Sequence, residues 1–171
     1  MLRDVAGDPT LSAALRAYDP AHDHGDASSK SAHAGSFESL IEQAGERHDL
    51  AWFFNDWVDA DKGLPDLSIE SVFPTPQPAG NWLVAVNLAN SGYASAEVPV
   101  TVRTDNTSIT QRVRIPARGK VVQRILIQGK PTEVQLNDGT VPETEASVHV
   151  TNLADTNSSS SEKSPDSFQQ H

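Results

Sequence analysis

The residues best suited to chemistry cluster in one polar stretch, where His22-Asp23-His24 lie with Asp19, Asp26 and His33 nearby. Imidazole and carboxylate are metal ligands in principle. A catalytic zinc, however, needs three ligands held around an open position for water. A segment this polar loses much conformational entropy in converging its ligands, and nothing in its own sequence orders it. The expectation is a solvated loop over residues 19–35, without a metal site. Other chemistries are excluded more simply. No His is followed by Glu, so the H-E-x-x-H helix that holds a hydrolytic zinc is absent. Gly35-Ser36-Phe37 lacks the G-x-S-x-G elbow of a serine nucleophile. Gly119-Lys120 matches only the end of a phosphate-cradling loop. With no cysteine, disulfides and thiol chemistry are excluded together. No catalytic, cofactor-binding or metal-ligating residue is expected. The residues to follow are those that pack: Trp52, Phe53, Phe54, Trp57, Leu64 and Pro65.

Most of these sit on the last of four short helices. Met1, Leu2 and Val5 read as a turn of helix ending at Gly7, the residue type favoured just past a helix C-terminus. Asp8 and Pro9 then restart helix as N-cap and first helical residue, with Leu11, Leu15 and Tyr18 on one face. Ser36 caps a third helix carrying Phe37, Leu40, Ile41 and Ala44, closed by Gly45. Asp49 caps the fourth, whose stripe is Leu50, Phe53, Phe54, Trp57 and Val58, with Asn55, Asp56, Asp59 and Asp61 on the opposite face. Gly63 stops it and Pro65 prevents its resumption.

From Leu67 the hydrophobic period changes to two. Strands are expected at 67–73, 82–88, 96–103, 108–115, 120–127, 132–136 and 147–153. They are separated by turn signals such as Pro74-Thr75-Pro76, Asn90-Ser91-Gly92 and Asn137-Asp138-Gly139. About seven short strands at this spacing predict an antiparallel immunoglobulin-like sandwich. Val98, Val100 and Val102 alternate with Pro99, Thr101 and Arg103, one face buried and one wet. Residues after 153 include four consecutive serines and cannot bury enough apolar surface to order themselves. The fold class is therefore α+β in two segments: helices over 1–65, a sandwich over 66–153, and a disordered serine-rich tail over 154–171.

Charge divides at the same place. The 171 residues carry a formal charge of −10, which argues against nucleic acid, whose phosphates need a basic footprint. Residues 1–66 hold 13 acidic against 5 basic side chains, whereas residues 67–153 hold 7 of each. Arg112, Arg114, Arg118, Lys120 and Arg124 cluster on two successive strands and their hairpin. Such charges usually form a solvated sheet face; the alternative is an acidic partner, including the acidic helical half of the same chain. No apolar run approaches the ~20 residues of a membrane span. The first residues lack the apolar core of a secretory signal.

The stretch Asp49-Leu50-Ala51-Trp52-Phe53-Phe54-Asn55-Asp56-Trp57 followed by Gly63-Leu64-Pro65-Asp66 resembles the end of the catalytic domain in zinc aminopeptidases of peptidase family M1. Met1-Leu2-Arg3-Asp4 to Leu15 and Phe37 to Leu40 are similar to its closing helices. Asn90-Ser91-Gly92 and Ala96-Glu97-Val98-Pro99-Val100 are similar to the sandwich that follows it. The resemblance implies a secreted, periplasmic or membrane-attached zinc exopeptidase as parent. The zinc ligands, the general-base Glu and the loop that binds a substrate N-terminus have no counterpart here, so no catalytic residue carries over.

A chain opening in mid-helix fits a truncated gene product, an expressed fragment or one half of a split enzyme. The expected function is a non-catalytic, accessory C-terminal part of an M1-type aminopeptidase. Its expected partner is the missing catalytic half, or a second copy bound through helices whose aromatic surface is only partly covered. The alternatives are a free-standing immunoglobulin-like protein-binding module with a helical cap, and a metalloenzyme using the His22/His24 loop.

Overall fold

The computed structural model describes residues 1–19, 36–145 and 148–153. Residues 20–35, nearly all of the loop expected to be solvated, and the serine-rich tail lie outside the described residues. Four short helices come first: α1 (Leu2–Ala6), α2 (Asp8–Ala17), α3 (Phe37–Ala44) and α4 (Ala51–Phe54), the last running on into a π-helical turn at Asn55–Asp59. Seven strands follow: β1 (Leu67–Pro76), β2 (Asn81–Asn90), β3 (Ala96–Thr104), β4 (Ser108–Ile115), β5 (Lys120–Gln128), β6 (Pro131–Leu136) and β7 (His149–Asn152).

The strands form two antiparallel sheets, β1-β2-β5 and β4-β3-β6-β7. The fold is α+β with a β-sandwich. Its core is the alternating apolar set, with Val98, Val100 and Val102 of β3 facing Val84, Val86 and Ile125 across the sheets. The fourth strand lies beside β3, not on the β1-β2-β5 sheet.

Three prolines show how position in a sheet decides what a strand tolerates. β1 runs through Pro74-Thr75-Pro76, a predicted turn, because it is an edge strand whose outer side needs no N–H donor. The turn follows later, where Ala79 and Gly80 take left-handed φ values of 59° and 73°. Pro99 lies in the inner strand β3, but just beyond the β3–β6 pairing, which ends at Val100–Leu136. Its carbonyl accepts from Asn137 N–H at 2.9 Å.

The helices close a second core from Val5, Ala14, Ile41, Leu50, Phe53 and Phe54, and Met1 and Trp57 touch both cores. Ser36 caps α3 as expected, its Oγ accepting from Ser39 N–H at 3.3 Å. Three helical expectations are corrected. Gly7, not Asp8, caps α2, and the Asp8 carboxylate pairs with Arg3 at 2.8 Å instead. Ala14 is buried where Leu15 was expected, leaving Leu15 57% exposed, because a small side chain lets α2 approach α3 closely. Asp49 does not cap α4: Leu50 holds that position without a side-chain bond. Asp49 instead takes two charge-assisted bonds from the Arg47 guanidinium, at 3.0 and 3.1 Å.

Candidate functional site: the helix–sandwich junction

The aromatic helix reaches the sandwich through its last turn. Asn55–Asp59 is wound as a π-helix, with Ala60 N–H donating five residues back to Asn55 O at 3.1 Å. The wider turn rotates the residues that follow Phe54, and Asp56 comes inward. It was expected on the wet face but is only 5% exposed. Its carboxylate accepts the backbone N–H of Ser95 at 2.9 Å, the Asn55 amide at 2.7 Å and the Lys62 ammonium at 2.6 Å. Burial pushes the Asp56 carboxyl up. The hydrogen bonds from Lys62, Ser95 and Asn55 outweigh that and bring it down to about 2. The next residue, Trp57, donates its indole N–H to the Ser95 carbonyl at 2.8 Å. Ser95 Oγ in turn accepts from Ala117 N–H at 3.2 Å.

Of the six packing residues singled out from the sequence, five join this junction or the core behind it. Phe53 stacks on Trp57 with centroids 6.2 Å apart and meets Phe54 edge-on at 5.4 Å. Phe54 meets Phe37, and Phe37 meets Tyr18, so an aromatic chain crosses the helices to the sandwich. Trp52 lies under Arg114, whose guanidinium carbon is 5.7 Å from the ring centroid. Its indole N–H is buried with no acceptor among the described residues. Pro65 is buried, and its carbonyl accepts from the backbone and the hydroxyl of Thr144 at 3.1 and 2.9 Å. Leu64 departs from expectation, being 41% exposed.

The exit from the helices is gripped by the turn after β2. Asn90, 2% exposed, accepts from Asp66 N–H at 3.1 Å and from Gly92 N–H at 2.9 Å through one oxygen. Its amide donates to Ala94 O at 2.9 Å. Gly92 lies flat against the exit: a Cβ there would be 2.5 Å from both Asp66 N and Leu64 O. The sequence marked both segments as turns without showing that they meet.

The basic cluster divides. Arg112 pairs with Asp4 of α1, and Arg114 with Asp49 at 3.6 Å, so these two meet the acidic helical half and are not a solvated face. Between them lies Glu97 of β3, whose two oxygens take both arms of Arg47 at 2.8 and 2.9 Å, while Arg112 Nε donates at 3.3 Å. Glu97 and Pro99 are buried on the face of β3 expected to be wet, because the helices cover it. Arg118 stacks on Tyr93 at 4.0 Å, and Lys120 pairs with Glu70. Asp56, Ser95 and Glu97 are the residues that sequence reasoning missed. The available signal was Asp56 standing three residues beyond Phe53, on the flank of the apolar stripe.

The chain matches no protein-family model. No curated protein matches it either.

What the junction can do is mechanical. It holds an acidic helical unit on one sheet with two bonds to a single backbone residue, a buried Glu97 gripped by the partly exposed Arg47 and Arg112, and a zero-clearance glycine. No group of three His, Asp or Glu able to hold a metal occurs among the described residues. No described helix is long and apolar enough to cross a membrane. Beside the junction, a groove of about 400 Å³ opens over Phe37, Phe53, Phe54 and Val58, with Glu38 and Asp59 on its rim. Burial, reinforced by Glu42 and Asp59, pushes the Glu38 carboxyl up.

Proposed function

We propose that the chain is a non-catalytic, accessory part of an M1-type zinc aminopeptidase, in which closing helices are fastened to a β-sandwich. One observation carries this reading: the residues that bear the family resemblance are those that build the junction. Trp57 and Asp56 bind Ser95, and the Gly63-Leu64-Pro65-Asp66 exit packs on Asn90 and Gly92. A joint of this kind transmits the position of the helices to the sandwich without needing a reactive group. Zinc belongs to the parent family's catalytic half, and none of the residues proposed for the junction has the donor set to hold it. Purified chain incubated with aminoacyl chromogenic amides and added zinc should show no turnover above buffer. Zinc-dependent turnover that copurifies and is lost on His22→Ala would overturn the reading. DNA upstream of the Met1 codon should encode an H-E-x-x-H helix, in frame or frameshifted.

A second reading, a free-standing binding module with a helical cap, is favoured by one specific fact. Phe53 and Phe54 are 7% and 5% exposed, so the helices bury their central aromatics without another body. A sharp monomer in sedimentation that binds no hydrophobic dye would favour this module; dimers weakened by Phe53→Ser would favour the fragment.

A further inference from the structure

The two sheets treat their outer faces differently. On the four-stranded sheet, acidic residues of the helical segment meet arginines of β4, and Glu97 beneath them is buried. The outer face of the three-stranded sheet has no such cover among the described residues. Its cross-strand rows are Ser71–Asn87–Val122, Phe73–Ala85–Arg124 and Thr75–Leu83–Leu126. Phe73 is 57% exposed, Leu126 55% and Val122 45%, while β2 contributes Leu83 and Ala85 between them. An antiparallel sheet with one face in water ordinarily carries polar side chains there. Contiguous exposed apolar surface of this kind marks interaction sites.

The charge left unpaired on this face among the described residues is positive. Arg124 stands in the middle row with no ion-pair partner among the described residues, and Glu70 at the border is already paired with Lys120. We propose that this face docks an acidic amphipathic helix of a partner protein. Its apolar stripe lies over Phe73, Leu83 and Leu126, and an Asp or Glu beside the stripe pairs with Arg124. Helices, like second sheets, cover sheet faces in layered folds. The chain itself covers its other sheet in the same manner, with acids of α1 and of the segment before α4 set against Arg112 and Arg114. A second copy laid face to face would bring two uncompensated Arg124 side chains into one interface, so the partner is not the same face. The inference stands apart from the proposed function, since it uses no residue of the junction.

Two synthetic amphipathic helical peptides test it, with one leucine ridge in common, flanked by Glu in the first and by Lys in the second. Each is titrated into the isotope-labelled full chain, and affinity is read only at backbone amides of β1, β2 and β5, because a basic peptide also meets the acidic helical segment. The Glu-flanked peptide should bind there about tenfold or more tightly than the Lys-flanked one, the scale of one charge pair. Arg124→Glu should reverse that order, Arg124→Lys should keep it, and Leu126→Ser should weaken both peptides about tenfold. Equal binding of the two peptides would overturn the proposal, as would shifts from the acidic peptide that fall on α3 and α4 instead. So would self-association of the free chain that Leu126→Ser abolishes, which would assign the face to a second copy.

Discussion

The carboxylate of Asp56 accepts the backbone N–H of Ser95 across 39 residues of sequence, and the neighbouring Trp57 donates to the carbonyl of the same serine. Two adjacent side chains of one helical turn thus satisfy both main-chain groups of one loop residue. Those groups lie where β3 begins, so the helix completes the sheet's hydrogen bonding at that end. Orientation follows from this: the helix can neither slide nor rotate without unpairing buried donors and acceptors.

Asp56→Ala should therefore be costly. It strips a buried N–H and an ammonium of their acceptor and is expected to destabilise the chain by about 3 kcal/mol in urea unfolding. Lys62→Ala should cost less than about 1 kcal/mol, because its ammonium is 40% exposed. The pH dependence has a definite sign. The folded-state pKa lies below the ordinary value, so the carboxylate's contribution is complete above pH ~4 and is lost as pH falls toward about 2. The stability gap between wild type and Asp56→Asn should shrink over that interval and stay constant from pH 5 to 8.

The two tryptophans of the aromatic helix should respond unequally to the same change. Trp57→Phe leaves the Ser95 carbonyl without its donor and is expected to cost about 1–3 kcal/mol. Trp52→Phe removes an indole N–H that has no acceptor among the described residues, while keeping an aromatic face for Arg114. That change should cost less than about 1 kcal/mol, since removing an unsatisfied buried donor offsets the lost ring area. Thermal unfolding of both variants checks the ordering, and equal losses would mean that the Ser95 bond does not hold the junction.

Periodicity carried most of the fold because packing here follows it. Val98, Val100 and Val102 point inward as their alternation implies, and every strand core was visible before the structure. Pro74 and Pro76 misled, because only the sheet order reveals that β1 is an edge. Asp56 was assigned to the wrong face since the expectation assumed 3.6 residues per turn, and a π-helical turn was not anticipated. Glu97 was invisible for a different reason. A Glu outside an alternating valine run reads as solvated until another element covers it, and Arg47 lies 50 residues away.

Glycine positions separate two physical causes. Gly92→Ala places a Cβ 2.5 Å from backbone atoms of Asp66 and Leu64, so the exit and the turn must part; a loss of about 2–4 kcal/mol is expected. Gly63→Ala meets no atom within 4 Å but sits at φ +87°, so only backbone strain of about 1–2 kcal/mol applies. Chemical denaturation of the pair should show the larger loss at Gly92. The reverse order would place the constraint in the helix stop and not in the joint.

The Arg47–Glu97–Arg112 group should be the energetic tie between helices and sheet. Glu97 is 7% exposed and accepts from two guanidiniums, so a double-mutant cycle of Arg47→Ala with Glu97→Ala should give a coupling of about 1–3 kcal/mol. Arg103 and Glu133 form a similar bond at 3.0 Å on the same four-stranded sheet, where both side chains are more exposed, and serve as the control, expected below about 1 kcal/mol. Salt distinguishes them further, because screening acts on exposed pairs far more than on buried ones. Raising ionic strength should erase the Arg103–Glu133 coupling and leave most of the Arg47–Glu97 coupling in place. Limited proteolysis adds a structural readout: Glu97→Gln should release residues 1–65 earlier than wild type while the sandwich persists. Equal couplings for the two pairs, or unchanged proteolysis, would show that the aromatic contact through Trp57 holds the segments together and the charges do not.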